Sequence, residues 1–265
     1  MPHVTVGDAR LPYEVHGEGT GSLPSLVLVP GAGPGSVIFD HLVPGFTEGG
    51  RRVIQANFSG SAHAEDDGGE LTLELLAEQV IAVLEEAGNG PVDLLGFSLG
   101  SLVAATVAAT RPDLVDRLVL VNGWAGPGDQ YLRNMMTVWR ELAGNSDAFG
   151  RYATITALSH GTLNAGGHDG FESMLGLMLP TRGTLRHIDL NLRADTRGAL
   201  SRIEARTLVV GSTLDLTIPV QNTREVHSLL ANSTYVEIES GHAVIGERAE
   251  EFTKVVRDFL TADAG

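Results

Sequence analysis

The chain has 265 residues, 43% of them hydrophobic, which is enough to form the core of one large α/β domain. Eighteen basic residues against 33 acidic ones give a formal net charge of −15, so neither nucleic acid nor an anionic membrane surface is an expected partner. With no cysteine there is no disulfide framework and no thiolate chemistry. We find no apolar run of the roughly 20 residues that cross a bilayer and no secretory signal, so a cytoplasmic location is expected.

The first part of the chain alternates predicted strands with a predicted helix. Residues 3–6 and 11–16 flank Gly7-Asp8 and predict an opening hairpin at a sheet edge. Short apolar runs predict strands at 25–29 and 52–56. Residues 73–87 place apolar side chains on one face behind Thr72, a predicted N-cap, and this helix is expected to cover the sheet.

The segment Gly96-Phe97-Ser98-Leu99-Gly100 predicts a strand, a sharp turn and a helix, because the apolar run 92–95 precedes it and helix-forming residues follow. Glycine two residues to either side leaves room for a serine in a strained backbone conformation. The turn would raise the Ser98 hydroxyl above the sheet edge. The free N–H of Leu99, at the helix N-terminus, would then face an oxygen that becomes negative during attack.

The alternation of strands and helices lapses after a strand predicted at 118–122 and resumes near residue 207. Residues 124–200 show short helical patterns and no convincing strand, which indicates a helical insertion. Its apolar side chains either line a pocket or bury one helix against the next: Met135, Met136, Trp139, Met174, Leu175, Met178 and Leu179. Strands at 207–211 and 234–239, a helix from Pro219 and a last apolar-faced helix complete a mostly parallel, doubly wound α/β sheet.

Two further residues follow predicted strand ends. Asp215 comes four residues after Gly211, and His242 follows Ser240-Gly241 beyond the last strand. Carboxyl ends of parallel strands share one rim, so Ser98, Asp215 and His242 are predicted to meet there. A serine nucleophile requires such a base, oriented by such a carboxylate. Helix capping by Ser98 or Asp215, or a helix-start position for His242, is the alternative interpretation.

These motifs, in the order Ser, Asp, His, resemble the α/β-hydrolase superfamily over essentially the whole chain. The resemblance implies a core domain of residues 1–123 and 201–265, with 124–200 as a helical cap (lid). It also assigns the second oxyanion donor to the backbone N–H of Ala32, since Pro30-Gly31-Ala32 matches the family's His-Gly-x turn. The nucleophile is serine, which argues against the dehalogenase and epoxide-hydrolase branches that use aspartate.

Some positions depart from the family pattern. Pro30 stands where many relatives have histidine, which changes how the loop is braced. In the turn that begins at Ala56, Asn57 replaces an aspartate and Ala62 a glycine, so the shape of the nearby pocket is open. The neighbouring His63 is expected to face solvent rather than to take part in catalysis.

The expected activity is hydrolysis of an ester, lactone or thioester through an acyl-enzyme, on a small, largely apolar carbonyl substrate. Carbon–carbon bond hydrolysis, acyl transfer and perhydrolysis would use the same triad, and a non-catalytic ligand receptor would use the same fold. No cofactor and no metal site is expected, because no histidine pair has ligand spacing. Whether Arg182, Arg186 and Arg193 clamp an anion stays open, as does the oligomeric state.

Overall fold

A twisted, mostly parallel sheet forms the centre of the protein, whose computed structural model describes residues 1–19 and 23–262. Residues 20–22 and 263–265, which the sequence assigns to the core domain, lie outside the described residues. The strands of the described chain are β1 (His3–Val6), β2 (Ala9–Pro12), β3 (Glu14–His16), β4 (Leu26–Val29), β5 (Val53–Gln55), β6 (Val92–Phe97), β7 (Val115–Val121), β8 (Arg206–Ser212) and β9 (Ser233–Ile238).

The order of strands in the main sheet places β6 at its centre. Within the described residues the order is β3-β5-β4-β6-β7-β8-β9, with β3 antiparallel to β5 and every other pair parallel. The central strands are buried along their length, as expected of parallel strands covered on both faces. The loops after β4, β6, β8 and β9 therefore leave from one edge of the sheet.

Helices cover both faces of this sheet. The α-helices of the described chain are α1 (Val43–Thr47), α2 (Leu73–Ala87), α3 (Leu99–Thr110), α4 (Gln130–Glu141), α5 (Ser146–Ala157), α6 (His160–Ala165), α7 (Gly167–Met174), α8 (Arg182–Asn191), α9 (Arg197–Leu200), α10 (Val220–Ser228), α11 (Val244–Glu247) and α12 (Ala249–Thr261). Single turns of 3-10 helix lie at Ser36–Phe39, Glu48–Gly50, Pro112–Leu114, Leu142–Gly144 and Leu175–Leu177.

The hydrophobic core divides into two clusters, one on each face of the sheet. Residues of α2 and α3, such as Leu76 and Val103, pack in one cluster. Residues of α1 and α12, such as Phe46 and Phe252, pack in the other. This is the doubly wound α/β arrangement that the sequence predicts. None of the helices in the described residues is long and apolar enough to cross a membrane.

Local structure follows the sequence closely in most elements and departs from it at the start of the chain. Helix α2 has the predicted bounds, and the Thr72 hydroxyl accepts from the Leu75 N–H at 3.1 Å as its N-cap. The single strand predicted at 11–16 is wrong, because the chain breaks at Tyr13. Strands β1 and β2 form a separate antiparallel pair, while β3 joins the edge of the main sheet.

Helices α4 to α9, called here the inserted helices, occupy the chain between β7 and β8. That segment is fully described and contains no strand. Asn145, Ser159 and Thr181 each cap the following helix with a side-chain oxygen that accepts a backbone N–H. These caps give the segment its own helix start signals, and the segment leaves the sheet after β7, at the edge where the predicted site residues lie.

Candidate active site

Ser98 sits at the tight turn between β6 and α3. Its backbone has φ 54° and ψ −122°, an unfavourable conformation for a residue with a side chain. The turn is fixed because the Ser98 N–H donates to the Val121 carbonyl at 2.8 Å. A side chain at Gly100 would collide with the carbonyls of Val29 and Pro30, so glycine is needed for helix α3 to approach β4 this closely.

The structure brings the three predicted residues of the triad into one hydrogen-bonded chain. His242 Nε2 lies 2.9 Å from Ser98 Oγ, and His242 Nδ1 lies 2.7 Å from Asp215 Oδ2. All three residues are buried. Since an ionised carboxylate only accepts, Nδ1 carries the proton donated to Asp215, and Nε2 is left to accept from the Ser98 hydroxyl.

The carboxylate of Asp215 is held by three donors. Besides His242, the backbone N–H groups of Thr217 and Ile218 donate to Asp215 Oδ1 at 2.8 and 2.7 Å. These bonds orient the carboxylate and stabilise its charge, because a buried carboxylate needs donors to replace water. The alternative in which Asp215 caps the helix that follows Pro219 does not match this geometry, since helix α10 has no side-chain cap.

The loop that carries His242 is supported by two residues that sequence reasoning missed. The buried Asn122, just after β7, donates from Nδ2 to the His242 carbonyl at 2.8 Å and to Ser212 Oγ at 2.9 Å. On the other side, the Phe97 ring packs on the imidazole with centroids 5.1 Å apart. Asn122 lies at the end of a predicted strand, and this position is a signal that could have identified it.

The loop after β4 lies against Ser98, as the resemblance implies. A side chain at Gly31 would stand 3.1 Å from Ser98 Cβ, so the backbone passes in contact with the nucleophile. The N–H groups of Ala32 and Leu99 have no hydrogen-bond partner within the part of the chain that the structure describes. Leu99 is the first residue of α3, where an N–H has no partner in its own helix.

His187, on α8, braces this loop from the inserted helices. Its Nδ1 accepts from the Gly33 N–H at 3.2 Å, and its Nε2 donates to the Ser59 carbonyl at 2.8 Å. Burial lowers the pKa of His187 to about 4, so the ring is neutral at pH 7 and can accept at one nitrogen while it donates from the other. No sequence signal identifies it, because both partners lie more than a hundred residues away.

Of the departures from the family pattern, Asn57 has a structural role. Asn57 accepts from the Ser36 N–H through Oδ1 at 2.9 Å and donates from Nδ2 to the Pro12 carbonyl at 3.1 Å, so it ties the loop after β4 to the β2 region. Ala62 and His63 are exposed. With Asn57 and His187 as braces, the loop does not depend on a histidine at position 30.

The three arginines considered as an anion clamp connect α8 and the turn after it to the loop before α2. Arg182 donates to the Gly68 carbonyl at 3.0 Å and Arg193 to the Leu71 carbonyl at 2.6 Å. Arg186 pairs with Asp66 at 2.7 Å, and both side chains are largely buried. These contacts hold the inserted helices against the core.

A small pocket of about 100 Å³ opens beside Ser98 and His242. Of the seven apolar residues considered for a pocket, Met136, Trp139 and Met178 line it. A larger cavity of about 670 Å³ lies outside, and Pro34 and Met178 line both. The described residues contain no cluster of three or more side chains suited to a metal ion.

Comparisons with known proteins agree with this fold. A family model described as alpha/beta hydrolase fold matches residues 24–249. The chain is similar to pyrrolizixenacetamide deacetylase of Xenorhabdus hominickii, with 34% identity over 268 residues and 99% of each chain covered.

Two solved structures show the same fold over nearly the whole chain. The enol-lactonase from Burkholderia xenovorans LB400 has a TM-score of 0.86 and 24% identity, with 98% of this chain and 100% of that one covered. MGS-M2, an alpha/beta hydrolase enzyme from a Medee basin deep-sea metagenome library, has a TM-score of 0.90 and 21% identity, with 100% and 98% covered.

Proposed function

This chain belongs to the family of the alpha/beta hydrolase fold and is a hydrolase, and we propose that it cleaves small carboxylic esters, lactones or thioesters through an acyl-enzyme on Ser98. The observation that carries this proposal is the hydrogen-bonded chain from Ser98 through His242 to Asp215. A serine hydroxyl becomes an effective nucleophile when a base removes its proton during attack. The bound carboxylate of Asp215 stabilises the imidazolium that results.

In the first half of the reaction, Ser98 Oγ attacks the substrate carbonyl while His242 Nε2 takes the hydroxyl proton. The N–H groups of Ala32 and Leu99 would stabilise the oxyanion, a contribution of roughly 3 kcal/mol per donor where one has been removed. His242 then gives the proton to the departing alcohol or thiol. In the second half a water molecule, deprotonated by His242, attacks the acyl group and releases Ser98 and the acid.

A second candidate is hydrolysis of an N-acyl amine, favoured by the 34% identical relative that is named a deacetylase. The same groups would serve, because the steps of acylation are the same and His242 would protonate a leaving amine in place of an alcohol. On this candidate the enclosed pocket would take the acyl group and the outer cavity the amine.

The test is steady-state hydrolysis of p-nitrophenyl acetate by the wild type and by Ser98→Ala. Loss of the nucleophile is expected to lower kcat by at least about a thousandfold, since only transition-state binding would remain. Ser201→Ala, at an exposed serine far from the site, is the matched control and is expected to keep wild-type kcat. Equal turnover by Ser98→Ala and the wild type would refute the proposal.

A further inference from the structure

Met178 forms part of the wall between two cavities. Among the described residues, only Pro34 and Met178 line both the small pocket beside Ser98, of about 100 Å³, and the outer cavity, of about 670 Å³. A proline ring is rigid, whereas a methionine side chain is unbranched and turns about three bonds. Met178 is half-buried on the link between the turn Leu175–Leu177 and α8. Its side chain is therefore the part of this shared wall that can move.

The end of the Met178 side chain packs on the loop after β4. A Cβ added at Gly33 would stand 2.7 Å from Met178 Sδ and 3.1 Å from Met178 Cε, so the thioether lies directly on the backbone of Gly33. The Gly33 N–H donates to His187 Nδ1, which helps to hold the loop in place. Because Ala32 immediately precedes Gly33, Met178 contacts the loop that carries the proposed oxyanion donor.

The outer cavity offers a ligand mainly apolar surface. Leu177 and Leu179 line it beside Met178, and both are exposed apolar side chains that a ligand would cover. Its charged wall residues balance, two acidic and two basic: Glu65, Asp66, Arg182 and Arg186. Of these, Asp66 and Arg186 pair at 2.7 Å. The cavity therefore suits a neutral, apolar group.

The small pocket limits one half of a substrate. A cavity of about 150 Å³ holds benzene, so a pocket of about 100 Å³ admits fewer than about six non-hydrogen atoms. The scissile ester group takes up much of that space and leaves room for a short group only. A longer half of the substrate must reach the outer cavity, past the wall that Met178 and Pro34 share.

We propose that Met178 is a specificity-determining residue: its side chain closes the small pocket against the outer cavity and turns aside to admit the longer half of the substrate. The substrate is then a neutral ester with one short half beside Ser98 and one long, apolar half in the outer cavity. This inference rests on the proposed function, because it places the ester bond that Ser98 attacks.

Three isomeric esters test the proposal: octyl acetate, methyl nonanoate and pentyl pentanoate. The first two join a short group to an octyl chain, on the alcohol side in one and on the acyl side in the other, whereas pentyl pentanoate is extended on both sides. Titration of the released acid gives kcat/KM below the solubility limit of each ester, with methyl acetate as the small reference. The wild type is expected to prefer the better octyl ester over pentyl pentanoate by roughly tenfold or more, because only one half can leave the small pocket.

Two substitutions at Met178 should act in opposite directions. Met178→Ala removes the wall and is expected to raise kcat/KM for pentyl pentanoate roughly tenfold, since the two cavities become one. Met178→Phe puts a rigid ring in place of a flexible chain and is expected to lower kcat/KM for the better octyl ester roughly tenfold. Both variants should keep kcat/KM for methyl acetate within about twofold of the wild type, which shows that the site is folded.

Leu177→Ala and Leu177→Phe are the matched controls, because Leu177 lines the outer cavity but not the small pocket. They are expected to keep the wild-type ratios. A wild type that hydrolyses the three isomers equally, or hydrolyses only methyl acetate, would refute the role of Met178 and leave the Ser98 mechanism standing. Ratios unchanged in Met178→Ala and Met178→Phe would do the same. No hydrolysis of any of these esters, together with no reaction of Ser98 with a fluorophosphonate, would refute both.

Discussion

His187 shows how a single side chain outside the triad can control the candidate site. It connects α8 to the loop that carries Ala32 and to the turn at Ser59. The bond from Gly33 requires a neutral ring, because a protonated imidazole cannot accept the Gly33 N–H, whereas donation to the Ser59 carbonyl is possible in either form. The neutral form is favoured by burial, which lowers the pKa of His187 from 6.5 to about 4.

This depressed pKa predicts an acid-sensitive stability. Between pH 6.5 and pH 4 the unfolded chain binds a proton at His187 that the folded protein does not, so the free energy of unfolding falls as the pH falls through this window. From pH 6.5 to pH 5 the loss is between about 1 and 2 kcal/mol, because the slope rises to 1.36 kcal/mol for each pH unit only as the unfolded histidine becomes fully protonated. Urea unfolding of the wild type and His187→Gln at both pH values measures it.

His187→Gln is expected to lose less stability than the wild type over the same interval, because glutamine does not titrate. His160→Gln, at an exposed histidine on α6, is the control and should follow the wild type. If the free energy of unfolding falls by the same amount in the wild type and in His187→Gln, the claim that the folded protein keeps this ring buried and neutral is wrong.

At the scale of elements, helix α3 approaches the end of β4 and the loop after it so closely that no side chain fits at Gly100. Alanine normally stabilises a helix relative to glycine by about 1 kcal/mol. At Gly100 the added methyl group would collide with the carbonyls of Val29 and Pro30, so here alanine should destabilise the protein. We expect Gly100→Ala to lower the free energy of unfolding by about 2 kcal/mol or more and to reduce activity.

The measurement is urea unfolding beside a matched variant, Gly246→Ala. Gly246 lies exposed on α11 with nothing within 4 Å of its added carbon, so that change should be neutral or slightly stabilising. If both variants have the stability of the wild type, the close packing of α3 on β4 described above is wrong.

Elements with a strong local pattern could be predicted from the sequence. Helix α2 has the predicted bounds because its apolar face and its Thr72 cap agree. The break at Tyr13 had one local signal, Pro12, which has no N–H to donate to a strand ladder. The different partners of the two halves, β1 for one and β5 for the other, could not be foreseen from the alternation of residues 11–16.

The same distinction holds at the site. Ser98, Asp215 and His242 each follow a strand, so topology alone predicts that they share one rim. The role of His187 depends on how the inserted helices pack over that rim, and such long-range packing leaves no short-range pattern. Sequence reasoning could propose a pocket in this segment but not which of its residues would line it.

For the molecule as a whole, the fold assembles chemistry from distant parts of the chain. Ser98 and His242 are 144 residues apart in sequence and 2.9 Å apart in space. The main sheet sets this proximity because β6, β8 and β9 end at the same edge. The inserted helices then enclose the site, with α8 bound to the core through Arg186 and Asp66.

The most direct test of the central claim, that this assembly makes Ser98 a nucleophile, is the intact mass of the protein after treatment with a fluorophosphonate. We expect one phosphonyl group per chain, mapped to Ser98, and none on the Ser98→Ala protein. Reaction should slow sharply in His242→Ala, since the base is lost. An unmodified wild-type protein, or a label on another residue with Ser98 untouched, would contradict the account.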